Sequence, residues 1–222
     1  MNHFKPYFII IKSLLYYLFD SLVLWKTPSP QKNQLEVVLL IRQDAIGDFV
    51  MWLDTAKEYR ELYPSENYRI VLVGNAVWFD LAKGLPYWDE VLPINVKKFK
   101  TFSSYRRNIL RKVNSFGAQI AVQPTFSREF YHGDSLIRAS NAFQKISSIG
   151  DMSNRNWLKK TLADGWHTEL IPASQEPISE LERNTEFFSA IRGTSHTQCY
   201  PVLGINKACS PLYQEKQFFV LV

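Results

Sequence analysis

The stretch LLIRQDAIGDFVMW, residues Leu39 to Trp52, decides the fold. An apolar run breaks into one polar loop with a single glycine and two aspartates, then turns apolar again. The run before the break, Val37–Ile41, has the length and β-branched content of a buried strand. Beyond it Phe49, Val50, Leu53 and Ala56 recur at helical spacing, with Glu58 and Arg60 on the intervening face. Arg42 to Asp48 therefore reads as a strand-to-helix loop, where open α/β sheets hold their ligands.

Working outward, short apolar runs alternate with helical patterns. Strands are expected at Val37–Ile41, Arg69–Val73, Glu90–Pro93, Gln119–Val122 and Lys145–Ile149, and helices at Phe49–Leu62, Val77–Lys83, Tyr105–Ser115 and Ser135–Phe143. Pro64 closes the first of these helices, and Gly84 and Gly117 stand where C-cap glycines would. Strands separated by helices predict an α/β fold with a doubly wound, mainly parallel sheet. A further helix opens on a capping box, Ser179 with Glu182, and stops at Gly193. After more than twenty irregular polar residues comes QFFVLV. Phe218–Val222 reads as a buried parallel strand, which needs a helix to cover it, and none follows. The expectation is a chain that ends just inside a second domain; the alternative is an edge strand added to the first sheet.

The 222 residues, 46% hydrophobic and 21% charged, carry no low-complexity run and no internal repeat, as expected of an ordinary globular protein. A net charge of +5 favours anionic partners without requiring them. Cys199 and Cys209 lack metal-ligand spacing, and either pair with each other or stay free thiols. The N-terminal segment PYFIIIKSLLYYLFDSLVLWK is apolar but amphipathic. Lys5, Lys12, Ser13, Tyr16, Tyr17 and Asp20 gather on one side of a helical wheel, and Phe8, Ile11, Leu15, Leu18, Leu22 and Trp25 on the other. A spanning helix would bury Lys12 and Asp20 at a cost of roughly 2.5–3.5 kcal/mol each near the bilayer centre. In-plane anchoring avoids that cost; a spanning anchor, a signal segment and a helix packed on the protein itself are the other readings. KTPSPQKNQ, Lys26–Gln34, is a linker.

Several chemistries are excluded at Arg42–Asp48. A dinucleotide fingerprint needs three glycines and only Gly47 is present, while a P-loop needs a Lys-Ser/Thr pair that does not follow. No Ser, Cys or His is placed to suggest a nucleophile relay. His3, His132, His167 and His196 are scattered and support no zinc site. What remains is a carboxylate at a helix start. Asp48 is either a simple N-cap or an ionised group above a cleft that acts as general base towards a hydroxyl. Gly47 either permits a tight turn or serves the ligand.

VVLLIRQDAIGDFVMWLDTAKEYRELYP resembles the opening of glycosyltransferase family 9, the ADP-heptose:lipopolysaccharide heptosyltransferases and their relatives. That family starts with a strand, a basic residue, a small-residue loop ending in Gly-Asp, and a helix closing at Tyr-Pro. YRIVLVGNAVWFDLAKGLPYWDEVLPIN, AQIAVQPTFSRE and LERNTEFFSAI resemble its later segments in order, so the resemblance covers roughly Leu35 to Val222. It implies a GT-B fold, two Rossmann-like domains facing across a cleft, of which this chain supplies the N-terminal, acceptor-side one. The expected organisation is an amphipathic membrane-associating helix (1–26), a linker (27–34), the acceptor domain (35–193), an interdomain linker (194–217) and the first strand of a truncated donor domain (218–222).

The resemblance further implies an inverting, metal-independent transfer of a sugar such as heptose from a nucleotide-sugar. Asp48 falls on the family's catalytic base. Arg42, Gly47, Ser127 and Arg128 become candidate acceptor contacts, Arg42 and Arg128 towards phosphate. No cofactor and no metal are expected; the donor, for example ADP-heptose, is a substrate held mainly by the domain this chain lacks. The partners implied are a lipid-linked glycan acceptor, such as the lipopolysaccharide core, and the nucleotide-sugar. The basic tract KKFKTFSSYRRNILRK suits an anionic membrane surface or a phosphorylated glycan, or is a solvated helix face. Nucleic acid is a poor fit, because no recognition motif accompanies the charge. The place expected is the cytoplasmic, inner face of a bacterial inner membrane. The rival reading is a non-catalytic, membrane-attached α/β module that binds an anionic glycan or a partner protein.

Overall fold

A computed structural model describes residues 5–27 and 34–195, with side chains from Ile9 onward. Six parallel strands form one sheet: β1 (Glu36–Arg42), β2 (Tyr68–Asn75), β3 (Glu90–Ile94), β4 (Ile120–Gln123), β5 (Gln144–Ser148) and β6 (Glu169–Ile171), in the order β3-β2-β1-β4-β5-β6. Strand order reverses between β1 and β4, and that is where such sheets open a crevice at their carboxyl ends.

The period of two along β1 splits the core into two layers. Val37, Leu39 and Ile41 pack with Ile109, Leu110 and Val113 of α5 (Ser104–Ser115) and with Leu136 and Ile137 of α6 (Ser135–Ser140). Val38 and Leu40 face the other way, onto Phe49, Trp52, Leu53 and Ala56 of α2 (Ile46–Leu62) and Phe187 and Phe188 of α8 (Glu180–Arg192). With both faces covered, β1 has no polar residue inside it, as a central parallel strand requires. The capping box between Ser179 and Glu182 forms as expected, and Gly193 closes α8 at φ 72°.

Two expectations need correction. Residues 76–83 make a short 3-10 turn, Ala76–Trp78, and a separate helix α3 (Phe79–Lys83). Helix α6 stops at Ser140, because Asn141 turns left-handed at φ 48°, leaving Phe143 fully outside it and exposed. Four elements were not expected: a four-residue helix at Val96–Phe99, a π-helical turn at Phe130–Asp134, β6, only three residues long at the sheet edge, and α7 (Trp157–Asp164). All are too short for a periodic pattern to stand out. The expected strand Phe218–Val222, Cys199, Cys209, His3, His196 and most of both linkers lie outside the described residues.

The N-terminal helix α1 (Lys5–Trp25) packs on the domain with its polar side inward. Asp20 is buried against Arg106, whose Nε donates to it at 2.7 Å. Tyr16 donates to the carbonyl of Lys100, Ser13 meets the Tyr131 hydroxyl at 3.1 Å, and Arg138 donates to Ser21 at 2.6 Å. Ile11, Leu15, Leu18, Leu22 and Trp25 are half or more exposed. No helix among the described residues is long and apolar enough to cross a membrane.

Candidate functional site

A cavity of about 430 Å³ opens at the carboxyl ends of β1 and β4, lined among others by Gln43, Asp44, Asp48, Lys100, Gln123, Thr125, Ser127, Glu129, His132, Gly133, Asn154 and Glu180. Its β1 wall is pinned by the neighbouring strand. Gln43 donates to the carbonyl of Val73 at 2.8 Å, and Asn75 and the Trp78 indole donate to the carbonyl of Asp44 at 3.2 and 3.0 Å. Trp78 reaches that carbonyl by crossing Gly74, where a Cβ would lie 2.0 Å from its ring. It also stacks on Phe49 at 3.9 Å, which fixes the start of α2.

Ala45, not Asp48, occupies the N-cap of α2, and no side chain caps the helix. Asp48 is the third helical residue. It lines the cavity at the positive end of the helix dipole and makes no hydrogen bond or ion pair to another described residue. The capping alternative for Asp48 is thereby removed. Gly47 sits in the first turn with open space where a Cβ would go and without a positive φ, so a tight turn does not account for it. Gly47 is outside the cavity wall.

Arg42 is fully buried behind the wall rather than in it. Its guanidinium lies 2.9 Å from Asp44, donates to Glu180 at 2.7 Å and to Asn184 at 2.8 Å, and stacks over Trp52. It holds α8 against the β1 loop and aims two carboxylates at the cavity. Burial pushes the Glu180 carboxyl above its ordinary range, and Arg42 opposes that shift. Glu180 and Asn184 are i, i+4 on one helix face, a spacing that marks a shared partner without naming it.

On the β4 side, Ser127 lines the cavity and donates to Asp151 at 3.0 Å, while Asn154 donates to the carbonyl of Ser127 at 2.9 Å. Arg128 points the other way. Fully buried, it pairs with Asp164 and lies 3.4 Å from Asp134; Arg155 stands 3.6 Å from both carboxylates, and Lys160 caps Asp164. Burial raises the Asp134 carboxyl despite its two arginines. The cluster fastens the loops carrying Ser127 and Asn154, so Arg128 is a strut beneath the site. Of the expected site residues, the cavity unites Asp48 and Ser127; Arg42 reaches it through the carboxylates it holds, and Gly47 and Arg128 stay outside the wall.

Sequence reasoning missed Lys100, Gln123, Glu129, His132 and Glu180. His132 is 5% exposed, its Nδ1 lies 3.4 Å from Glu129, and its Nε2 has no partner among the described residues. Burial, with Lys100 and Arg106 nearby, pushes its pKa down to about 3, so it is neutral at physiological pH. Lys100 lies 3.6 Å from Glu129. Gly133 exists for Gln123, whose amide nitrogen would be 2.1 Å from a Cβ there.

A doubly wound parallel sheet with a polar cavity at its reversal point is the frame of nucleotide- and sugar-handling α/β domains. Among solved structures, the fold is that of one Rossmann-like half of GT-B heptosyltransferases. The chain is similar to the Escherichia coli heptosyltransferase WaaC with ADP-2-deoxy-2-fluoro heptose, at a TM-score of 0.54 and 16% identity over 74% of this chain and 51% of that one. It is similar to a family 9 glycosyl transferase from Veillonella parvula, with a TM-score of 0.60 at 12% identity over 79% and 47%, and to the E. coli ADP-heptose lps heptosyltransferase II, with 0.51 at 13% over 78% and 47%. The chain thus spans about half the length of the structures it matches. No family model and no curated protein matches the sequence.

Proposed function

We propose that this chain is the acceptor-side half of a family 9-type glycosyltransferase, with Asp48 as the general base. The observation that carries the reading is an unpaired carboxylate at a helix start, facing a cavity at the strand-order reversal. Asp48 takes the proton of an acceptor hydroxyl. The freed oxygen attacks the anomeric carbon of a nucleotide-sugar as the nucleoside diphosphate leaves from the opposite face, so one displacement inverts the centre. The proton ends on Asp48 and the negative charge on the diphosphate, and no metal ion is needed for the proton transfer. The donor, for example ADP-heptose, is held mainly by a second domain. Ser127 and the carboxylates fixed by Arg42 orient the acceptor.

The acceptor is a lipid-linked glycan, such as a lipopolysaccharide core, met at the cytoplasmic face of the inner membrane. Support comes from α1, whose Ser13, Tyr16 and Asp20 are spent on the protein while Leu14, Leu15, Leu18 and Leu22 face out. Support comes also from Lys97, Lys98, Arg107, Arg111 and Lys112, exposed on α5 and on the preceding short helix α4 (Val96–Phe99), where anionic headgroups can meet them.

The test is transfer by the protein that carries this chain together with a donor-binding domain. Asp48→Asn should lower kcat by roughly 10²–10⁴-fold, the range for a lost general base, with an unchanged melting temperature. Full activity in the folded variant would remove the assignment.

A further inference from the structure

The charges around the cavity bear on which sugar can sit in it. Four carboxylates line it, Asp44, Asp48, Glu129 and Glu180, and Lys100 is the cation among the lining residues. Arg42 adds a second positive charge from behind, wholly engaged by Asp44, Glu180 and Asn184. Lys100 is drawn to Glu129. Four negative charges against two positive ones leave the wall formally anionic, and His132, neutral, does not change the balance.

The rest of the wall is built for hydroxyls. Thr125 and Ser127 give their hydroxyl protons to Asp44 and Asp151 and keep lone pairs to accept with, while Asn154 and Gln123 bring side-chain amides. His132, a lining residue, carries a buried ring nitrogen with no partner among the described residues; with Nδ1 facing Glu129, Nε2 can accept a hydrogen bond from a hydroxyl. The buried side-chain carbonyl oxygen of Gln43, another lining residue, is likewise without a partner among the described residues. A neutral sugar ring supplies the donors that these groups and the carboxylates lack. A phosphate or carboxylate on the ring supplies only acceptors and would meet like charge with no free guanidinium to receive it. An ammonium would pair with Asp48 and weaken it as a base.

We propose that the sugar unit bound in this cavity is an uncharged polyol ring, with no phosphate, carboxylate or amine beside its reacting hydroxyl. This rests on the acceptor reading of the cavity. Any anionic group of a larger acceptor then lies outside it.

Amide shifts of the isotope-labelled chain, titrated at low salt with methyl α-mannoside, its phosphate monoester and the matching uronic acid glycoside, test this. The neutral glycoside should move the amides of Gln43–Asp48 and Thr125–Ser127. Both anionic probes should bind at least about tenfold more weakly, a gap of about 1.4 kcal/mol. Asp48→Asn with Glu180→Gln should narrow that gap severalfold, and His132→Ala should weaken the neutral probe. Equal or tighter binding of either anionic probe would overturn the proposal, and so would a cavity that no neutral glycoside perturbs at millimolar concentration. A full-length protein that binds the neutral probe but transfers nothing would sink the transferase reading and leave this one standing.

Discussion

Asp20 and Arg106, 86 positions apart, form a two-pronged ion pair that is withdrawn from solvent on both sides. Arg106 also donates to the carbonyls of Phe99 and Tyr131 and to Ser135, so one guanidinium ties α1, α5 and the loop before α6 together. Buried pairs of this kind add little net stability against apolar substitutes, but removing one partner strands the other.

Asp20→Ala should therefore destabilise the chain by about 3–5 kcal/mol in urea unfolding. Because Arg106 keeps three other acceptors, the loss should show first as detachment of α1, seen as faster amide exchange in residues 9–27. Uniform loss across the sheet would mean that α1 and the domain unfold as one unit.

Leu18→Lys with Leu22→Lys tests what the outward face of α1 meets. Each leucine is half or more exposed, so stability should hardly change. Binding to anionic vesicles should fall by at least about tenfold, since each buried leucine side chain is worth roughly 1.5–3 kcal/mol. Unchanged vesicle binding would show that lipid is not the occupant of that face.

Acid should unfold the protein through two histidines. Burial, with Lys100 and Arg106 for His132 and Arg128 for His167, pushes both down to about 3 from an ordinary 6.5. Between those values the unfolded chain binds protons that the folded one refuses. Their contribution is therefore complete above pH 6.5 and lost as the pH falls towards 3, at up to about 1.4 kcal/mol per pH unit for each. Asp134, raised by burial, works in the opposite sense, its contribution fading as the pH rises. Unfolding free energies measured from pH 7 to pH 4 should decline, and His132→Gln should flatten the slope.

Two glycines at the site should part company. Gly47→Ala meets open space and replaces a poor helix former, so the melting temperature should hold or rise. Gly133→Ala drives a methyl group to 2.1 Å from the Gln123 amide, inside a wall where Gln123 is only 2% exposed. A cost of about 1–3 kcal/mol is expected, together with altered glycoside shifts at Thr125–Ser127. Equal behaviour of the two variants would contradict the packing around Gln123.

Strands β1 to β5 and helices α2, α5 and α8 were legible because each is long enough to show its period or its caps. Arg42 and Arg128 show where that reading ends. Arg42 ends β1 and Arg128 lies in the loop beyond β4; both carry the charge of an anion contact, and both turn inward to partners that include residues 36 to 142 positions away. Lys100 was hidden in a basic tract, since seven like charges in sequence do not say which one faces a cavity. Helix α1 was read correctly as two-sided, yet its polar side is the buried one.

Residue order alone determined the alternation of strand and helix, the strand-loop-helix around Asp48 and the capping box of α8, because periodicity and capping act between residues a few positions apart. Which charges meet, which way α1 faces, and that Asp44, Asp48, Glu129 and Glu180 share one cavity were decided only by tertiary structure. The reason is physical: a charge removed from water must find its counter-charge in space, and the chain brings the two together only when the sheet closes between them.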